Sequence, residues 1–281
     1  MIVAHTIEEV RCAVKAWKKE GATVGLVPTM GYLHEGHASL VKAAKASCDR
    51  VVVSVFVNPT QFGPNEDLDS YPRDFEHDCD LLSSLGVDLV FHPTPEELYA
   101  KDFGTWTEVP ALSKNLCGKT RPIHFRGVCT VVSKLFHIAA PDKAFFGQKD
   151  AQQLAVIRRM VRDLNFDIEI VGCPIVREAD GLAKSSRNKY LNDAEREAAL
   201  VLSQSLKLAK SLCENGTTDV EAILSAIRTK IASEPLAKLD YAEAVNAENM
   251  EPIATVKGRV LFAIAVYIGK TRLIDNFEIC R

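Results

Sequence analysis

Val27-Pro28-Thr29-Met30-Gly31-Tyr32-Leu33-His34-Glu35-Gly36-His37 is the stretch on which the reading of this chain turns. It follows Val24 to Val27, whose unbroken apolar character predicts a buried strand, and it precedes Ala38 to Ala46, which predicts a helix. A strand, a glycine-punctuated loop and a helix bring backbone N–H groups at a helix N-terminus up to a bound anion, most often phosphate. His34 and His37 fall at that corner, and Gly36 between them lets backbone come close to a ligand. Imidazoles so placed can donate hydrogen bonds to a polyphosphate as charge develops on it. The same i, i+3 pair is also a zinc-ligand spacing, although no H-E-x-x-H pattern is present.

Upstream, Thr6-Ile7-Glu8-Glu9 fits a capping box, and Val10, Val14 and Trp17 continue it as an amphipathic helix stopped by Gly21. Downstream, Val51 to Val57 is nearly all β-branched or aromatic, as suits a central parallel strand covered on both faces. Strand, helix, strand at this length implies a right-handed crossover. The loop Asn58-Pro59-Thr60-Gln61-Phe62-Gly63-Pro64 then falls where the carboxyl edge of the sheet should lie, which is where open α/β sheets bind ligands. Asn58 and Gln61 offer amides to a small polar substrate there, or serve simply as turn residues. Asp74 opens a further helix closed by Gly86, and Val87 to Phe91 reads as the next strand.

From His92 to Arg126 the pattern is irregular, with a short strand expected at Thr105 to Val109. Lys119, Arg121, His124 and Arg126 lie close together near its end, as a solvated loop or as partners for a carboxylate or phosphate. Val128 to Ala140 predicts a helix and Lys143 to Phe146 a strand, so that Gly147-Gln148-Lys149-Asp150 repeats the strand-loop-helix arrangement of the opening motif. Lys149 is placed to meet a phosphate, and Asp150 to cap the helix, accept from a ribose hydroxyl or approach a metal. Of Gln152 and Gln153, one should face the site and the other solvent.

Asp167 to Val171 and Ile175-Val176 read as closing strands. Lys184-Ser185-Ser186-Arg187 then sets two cations and two hydroxyls beside Gly181, which suits a movable triphosphate clamp or, equally, a polar interdomain linker. From about Asn192 helices come first and strands after. Asn192 with Glu195, and Thr218 with Glu221, fit helix caps, and Leu239 to Val245, Arg259 to Ile268 and Arg272 to Phe277 read as strands. That order predicts a small α+β domain at 177–281 after an α/β domain at 1–176.

Composition narrows the class. With 281 residues, 47% hydrophobic and 25% charged, the chain can bury a sizeable core. A net charge of -3 gives no electrostatic case for a nucleic-acid partner. The eight cysteines form no C-x-x-C pair and lie mostly in apolar surroundings, as reduced cytosolic thiols do. The segment Met1 to Glu9 lacks a signal peptide's apolar core, no apolar run is long enough to span a bilayer, and a cytoplasmic protein without a membrane partner is expected.

Pro28-Thr29-Met30-Gly31 joined to His34-Glu35-Gly36-His37, then Asn58-Pro59-Thr60-Gln61-Phe62, Phe146-Gly147-Gln148-Lys149-Asp150 and Gly181-Leu182-Ala183-Lys184-Ser185-Ser186-Arg187-Asn188, closely resemble the pantothenate synthetase family, in order and over most of the chain. The resemblance implies a Rossmann-like parallel sheet carrying the H-x-G-H nucleotide site and a smaller α+β C-terminal lid. It implies a ligase that joins pantoate to β-alanine through a pantoyl-adenylate, releasing AMP and pyrophosphate, with ATP and Mg²⁺ and as a homodimer.

Carried onto this chain, the family's ATP site covers Met30, Gly31, Tyr32, Leu33, His34, Glu35, Gly36, His37, Gly147, Gln148, Lys149, Asp150, Val176, Lys184, Ser185, Ser186 and Arg187. The position of His37 is a proton donor in that family. His34, His37, Lys149, Ser185, Ser186 and Arg187 are the expected catalytic set. Gln61 is expected to bind both pantoate and β-alanine, with Gln153, Pro28 and Met30 also toward pantoate. Gln148 stands where many relatives have Glu, and Lys184 where they often have an apolar residue. Two other readings stand beside this one: an adenylyltransferase that shares the H-x-G-H head and keeps AMP in its product, and a nucleotide-binding module without chemistry.

Overall fold

Six strands build the sheet that the H-x-G-H stretch enters. The computed structural model describes residues 1–64 and 66–281. In chain order its elements are β1 (Ile2–Ala4), α1 (Ile7–Lys19), β2 (Val24–Thr29), α2 (Glu35–Ser47), β3 (Arg50–Val55), α3 (Phe75–Ser84), β4 (Leu89–Phe91), α4 (Pro95–Leu98), α5 (Pro110–Ser113), α6 (Cys117–Thr120), α7 (His124–Ala139), β5 (Lys143–Gly147), α8 (Ala151–Asp163), β6 (Glu169–Cys173), α9 (Asp193–Ala198), α10 (Leu200–Glu214), α11 (Val220–Ala232), β7 (Ala237–Asn246), β8 (Arg259–Ile268) and β9 (Thr271–Cys280). They form two units: Met1–Pro110, Arg121–Gln148 and Val156–Pro174 in the first, Ala111–Thr120, Lys149–Ala155 and Ile175–Arg281 in the second.

The first unit holds a parallel sheet of order β1-β4-β3-β2-β5-β6. Its central strands are apolar on both faces because helices cover both, and Val27, Val51, Val53 and Val90 are fully buried. The chain runs outward from β2 through β3 to β4, then returns to place β5 and β6 on the other side. The strand order therefore reverses between β2 and β5, and ligands of open α/β sheets bind beyond the carboxyl ends of such strands. The H-x-G-H loop leaves β2 at that point.

Several local expectations are corrected. The edge strand β1 carried no pattern to read, being short with exposed Ile2 and Val3, yet it pairs in parallel with β4. Strand β3 ends at Val55, although Phe56 N–H still reaches Thr29 O at 3.1 Å. Thr105 to Val109 forms no strand, since Thr107 N–H donates to Thr130 Oγ1 at 3.1 Å and Trp106 lies under the Arg126 guanidinium at 4.7 Å. Helix α7 begins at His124, ahead of the expected Val128, so His124 and Arg126 belong to a helix and not to a charged loop. Ile175-Val176 is not a strand either; Val176 O accepts from Lys184 N–H at 2.9 Å in a hairpin closed by an Arg177–Ala183 bridge.

In the second unit β7, β8 and β9 pair antiparallel in that order, with α10 and α11 packed on them. Leu202, Leu206, Ile223, Ile227, Phe262, Ile264 and Val266 form its core. Asn192 and Glu195 make the expected reciprocal cap of α9. The cap of α11 is Asp219, whose carboxylate accepts from Glu221 N–H at 3.0 Å, and not Thr218, whose carbonyl is taken by Val256 N–H. The parallel α/β sheet and the smaller α+β unit are those the sequence predicted.

Candidate active site

The loop after β2 is set by its backbone. Thr29 Oγ1 donates to Ser54 O at 2.7 Å and accepts from Gly31 N–H at 3.2 Å. Gly31 and Tyr32 then take left-handed conformations, φ +84° and +52°, which only glycine adopts without strain. Consecutive left-handed residues swing their following N–H groups to one side. Asp78 of α3 accepts from both, Tyr32 N–H at 2.8 Å and Leu33 N–H at 2.6 Å. Burial pushes the Asp78 carboxyl above the ordinary carboxylate range, in spite of these two bonds.

His34 caps α2. Its Nδ1 accepts from Gly36 N–H at 3.0 Å, and Nδ1 of His37 accepts from His34 N–H at 3.3 Å, with the rings 4.2 Å apart. A ring nitrogen that accepts an N–H carries no proton, so each neutral imidazole holds its proton on Nε2. The caps thus select the tautomer that donates from the ring's far edge. Among the described residues no group of three His, Cys, Asp or Glu could hold a metal, so the pair lacks the further ligands of a zinc site.

Gln61 is oriented by a chain of contacts that starts at backbone. Asn58, 1% exposed, faces Gly127 O with its amide nitrogen at 3.2 Å and accepts from Thr60 N–H and the Tyr99 hydroxyl with its oxygen. A carbonyl can only accept and an N–H only donate, so the Asn58 amide has one admissible orientation. Its Nδ2 then donates to Gln61 Oε1 at 3.0 Å, which turns the Gln61 Nε2 donor the other way, 3.1 Å from Met30 Sδ. The backbone carbonyl of Gln61 is held as well: His124 Nδ1–H donates to it at 3.1 Å, and Arg121, paired with Glu66, donates at 3.4 Å. Arg121 and His124 therefore have protein partners at the turn, which the composition of the basic stretch did not reveal. Gly127 is required by proximity, since a Cβ there would meet Thr60 O at 2.5 Å.

In the second unit Lys149 Nζ lies 3.4 Å from the Asp150 carboxylate, and Lys149 O accepts from Asn276 at 2.8 Å. Asp150 thus has Lys149 as partner at the end of the turn Gln148–Asp150 that leads into α8. Gln152 is buried, accepting from Cys117 N–H and donating to Leu112 O and Asn115 O, while Gln153 is half-buried. The Lys184 to Arg187 segment follows the hairpin described above. Arg177 grips buried Asp275 through two bonds of 2.7 and 2.9 Å, and Arg196 reaches Glu178 and Asp180 at 2.8 and 2.7 Å. Asn188 ties back to Ala183 O at 3.1 Å, and Ser185 accepts from Arg187 N–H at 3.3 Å. These bonds hold the residues that flank the segment, Arg177 before it and Asn188 after it.

Sequence reading missed Asp78 and Tyr99, which look like ordinary helix and loop residues until their partners are seen. Gly127 carried a faint signal, a glycine at the head of an apolar helical stripe.

The pantoate-beta-alanine ligase profile matches residues 2–278. The chain belongs to the pantoate-beta-alanine ligase family. The pantothenate synthetase of Clostridium acetobutylicum is 58% identical over 277 residues, with 99% of each chain covered, and that of Enterococcus faecalis is 56% identical over 277 residues, covering 99% of this chain and 98% of its own. Among solved structures, the pantothenate synthetase of Thermus thermophilus matches with a TM-score of 0.95 at 44% identity, over 100% of both chains. A Francisella tularensis pantoate-beta-alanine ligase, complexed with beta-gamma ATP and beta-alanine, matches with a TM-score of 0.80 at 36% identity, over 99% and 97% of the two chains. As a ligase of this family the chain condenses pantoate with β-alanine to pantothenate, using ATP through a pantoyl-adenylate and releasing AMP and pyrophosphate. No described helix is long and apolar enough to cross a membrane.

Proposed function

We propose that His34 and His37 donate from Nε2–H to the triphosphate of ATP, and that Lys149 and the Lys184, Ser185, Ser186 and Arg187 segment bind nucleotide, the role the family resemblance implies for them. Met30 to His37, Gly147 to Asp150 and Val176 complete the ATP set. The observation that carries this reading is the pair of backbone N–H bonds to Nδ1 of both histidines, which fixes the donating tautomer.

Pantoate's carboxylate is ionised at neutral pH, so its attack on the α-phosphorus needs no general base. It needs relief of charge repulsion and an in-line approach. The imidazole and ammonium donors supply the first. Gln61 supplies part of the second: its Nε2 donor end suits the carboxylates of pantoate and β-alanine, with Gln153, Pro28 and Met30 lining the pantoate side. In the second step a neutral amine attacks the mixed anhydride and AMP leaves. Gln61 cannot be the base, and the proton passes to water or to the departing phosphate.

Mg²⁺ accompanies ATP in this reading. Among the described residues no group of three His, Cys, Asp or Glu is placed to hold it, and no step is assigned to it. The protein works as a cytoplasmic homodimer. In single-turnover experiments, His34→Ala, Lys149→Ala and Arg187→Ala should each slow pantoyl-adenylate formation by roughly a hundredfold to a thousandfold, the range for losing one charge-stabilising donor. Wild-type rates in all three would remove these groups from the chemistry.

A further inference from the structure

Asp78 of α3 is a carboxylate only 1% exposed. Burying such a charge is costly unless its oxygens are satisfied, and here they accept from consecutive N–H groups of the H-x-G-H loop, Tyr32 and Leu33. Leu33 immediately precedes His34, the cap of α2. Left-handed Gly31 and Tyr32 shape these amides into a concave anion-binding nest. A nest beside a triphosphate would compete for a phosphate oxygen, and the carboxylate fills it. The fit is tight, because a Cβ on Gly31 would come within 3.1 Å of Asp78 Oδ2 and 3.0 Å of Val55 Cγ1.

We propose that Asp78 is a positioning residue for adenylate formation: by occupying the Tyr32–Leu33 amide nest it holds the loop in the shape that keeps the reciprocal caps of His34 and His37. Asn at this position can accept from one amide only, and its NH₂ faces the other. The left-handed Tyr32 then loses the contact that offsets its backbone strain. The loop relaxes and the imidazoles leave their positions. Displacements near 1 Å in such groups cost on the order of a hundredfold in rate.

This inference rests on the role given to the histidines, and a double-variant experiment separates the two. Pantoate-dependent exchange of labelled pyrophosphate into ATP is measured for wild type, Asp78→Asn, His37→Ala and the double variant, with β-alanine absent. Asp78→Asn should lower the exchange kcat by roughly 10–100-fold, and the double variant should be no more than about threefold below His37→Ala alone, because both changes disable the same groups. The KM for β-alanine in the full reaction should stay within twofold. Hydrogen exchange of the peptide spanning Tyr32 and Leu33 should quicken in Asp78→Asn.

Wild-type exchange in His37→Ala would overturn the role of the histidines and this inference with it. A collapsed His37→Ala beside an unaffected Asp78→Asn, or losses that multiply in the double variant, would overturn this inference alone. Should Asp78→Asn not fold, amide exchange in the wild-type protein decides: protected Tyr32 and Leu33 amides support the proposal, and freely exchanging ones refute it.

Discussion

Gly127→Ala tests whether Gln61 is held by close approach of α7. The added methyl would sit 2.5 Å from Thr60 O and 2.6 Å from Gln61 N and Cα, all of them backbone atoms that no side-chain rotation can move aside. Helix α7 and the turn must separate by about 0.9 Å, the difference between 2.5 Å and the 3.4 Å at which ordinary contact begins. The same movement lengthens the Asn58 Nδ2 to Gly127 O bond, 3.2 Å in the native turn, and the His124 Nδ1 to Gln61 O bond, 3.1 Å. Overpacking of this kind costs about 1–3 kcal/mol in stability. For a chain of this size that lowers the melting temperature by roughly 2–10 °C. A displacement near 1 Å at a substrate-orienting residue costs up to about a hundredfold in rate. The assay is steady-state pantothenate formation with each substrate varied, beside a melting curve. Expected are a fall in kcat/KM for pantoate of roughly 10–100-fold and a KM for ATP within twofold of wild type. A variant that melts as wild type does and keeps full kcat/KM for pantoate would refute the reasoning.

Further expectations concern hydrogen bonds and charge. Tyr99→Phe removes the hydroxyl that donates to Asn58 Oδ1 at 2.8 Å and that burial keeps protonated, so KM for pantoate should rise by about threefold to tenfold, equivalent to about 1 kcal/mol, in substrate-saturation curves. An unchanged KM would detach Tyr99 from the orientation of Gln61. Asp88 is pushed up by burial, but Val51 N–H, Lys45 and Arg50 more than offset this and hold its carboxyl below the usual range. A depressed pKa stabilises the fold above the unfolded value near 4 and loses that effect as pH falls through the folded value. Asp88→Asn should therefore be less stable than wild type by about 1–2 kcal/mol at pH 7, with half-exposed Lys45 and Arg50 limiting the figure, and the gap should narrow in melts taken down to pH 3. An equal gap at both pH values would contradict the assignment.

The parts of the fold that were legible in the sequence are those where one physical requirement dominates. Val51 to Val55 could only be buried on both faces, and Thr6 with Glu9 or Asn192 with Glu195 could hardly do better than cap a helix. Short or context-bound pieces were not legible. The edge strand β1 forms because β4 offers it a free edge, and Thr105 to Val109 has strand-like composition with no strand beside it among the described residues. The site divides in the same way. The H-x-G-H loop and Gln61 announce themselves by residue type and motif, whereas Asp78, Tyr99, His124 and Arg121 act through partners 20 or more residues away, which no local pattern encodes. The cap of α11 shows how fine the margin is, since Thr218 and Asp219 are both good capping residues and only the path of the chain into Val220 selects the second.

The central claim is that imidazole donors set by their backbone caps drive formation of the acyl-adenylate. Its most direct test is exchange of labelled pyrophosphate into ATP with pantoate present and β-alanine absent, in wild type and in His37→Ala. Exchange in wild type that requires pantoate and falls by roughly a hundredfold or more in a folded His37→Ala protein is the predicted result. Exchange at the wild-type rate in His37→Ala, or none in wild type until β-alanine is added, would contradict the account.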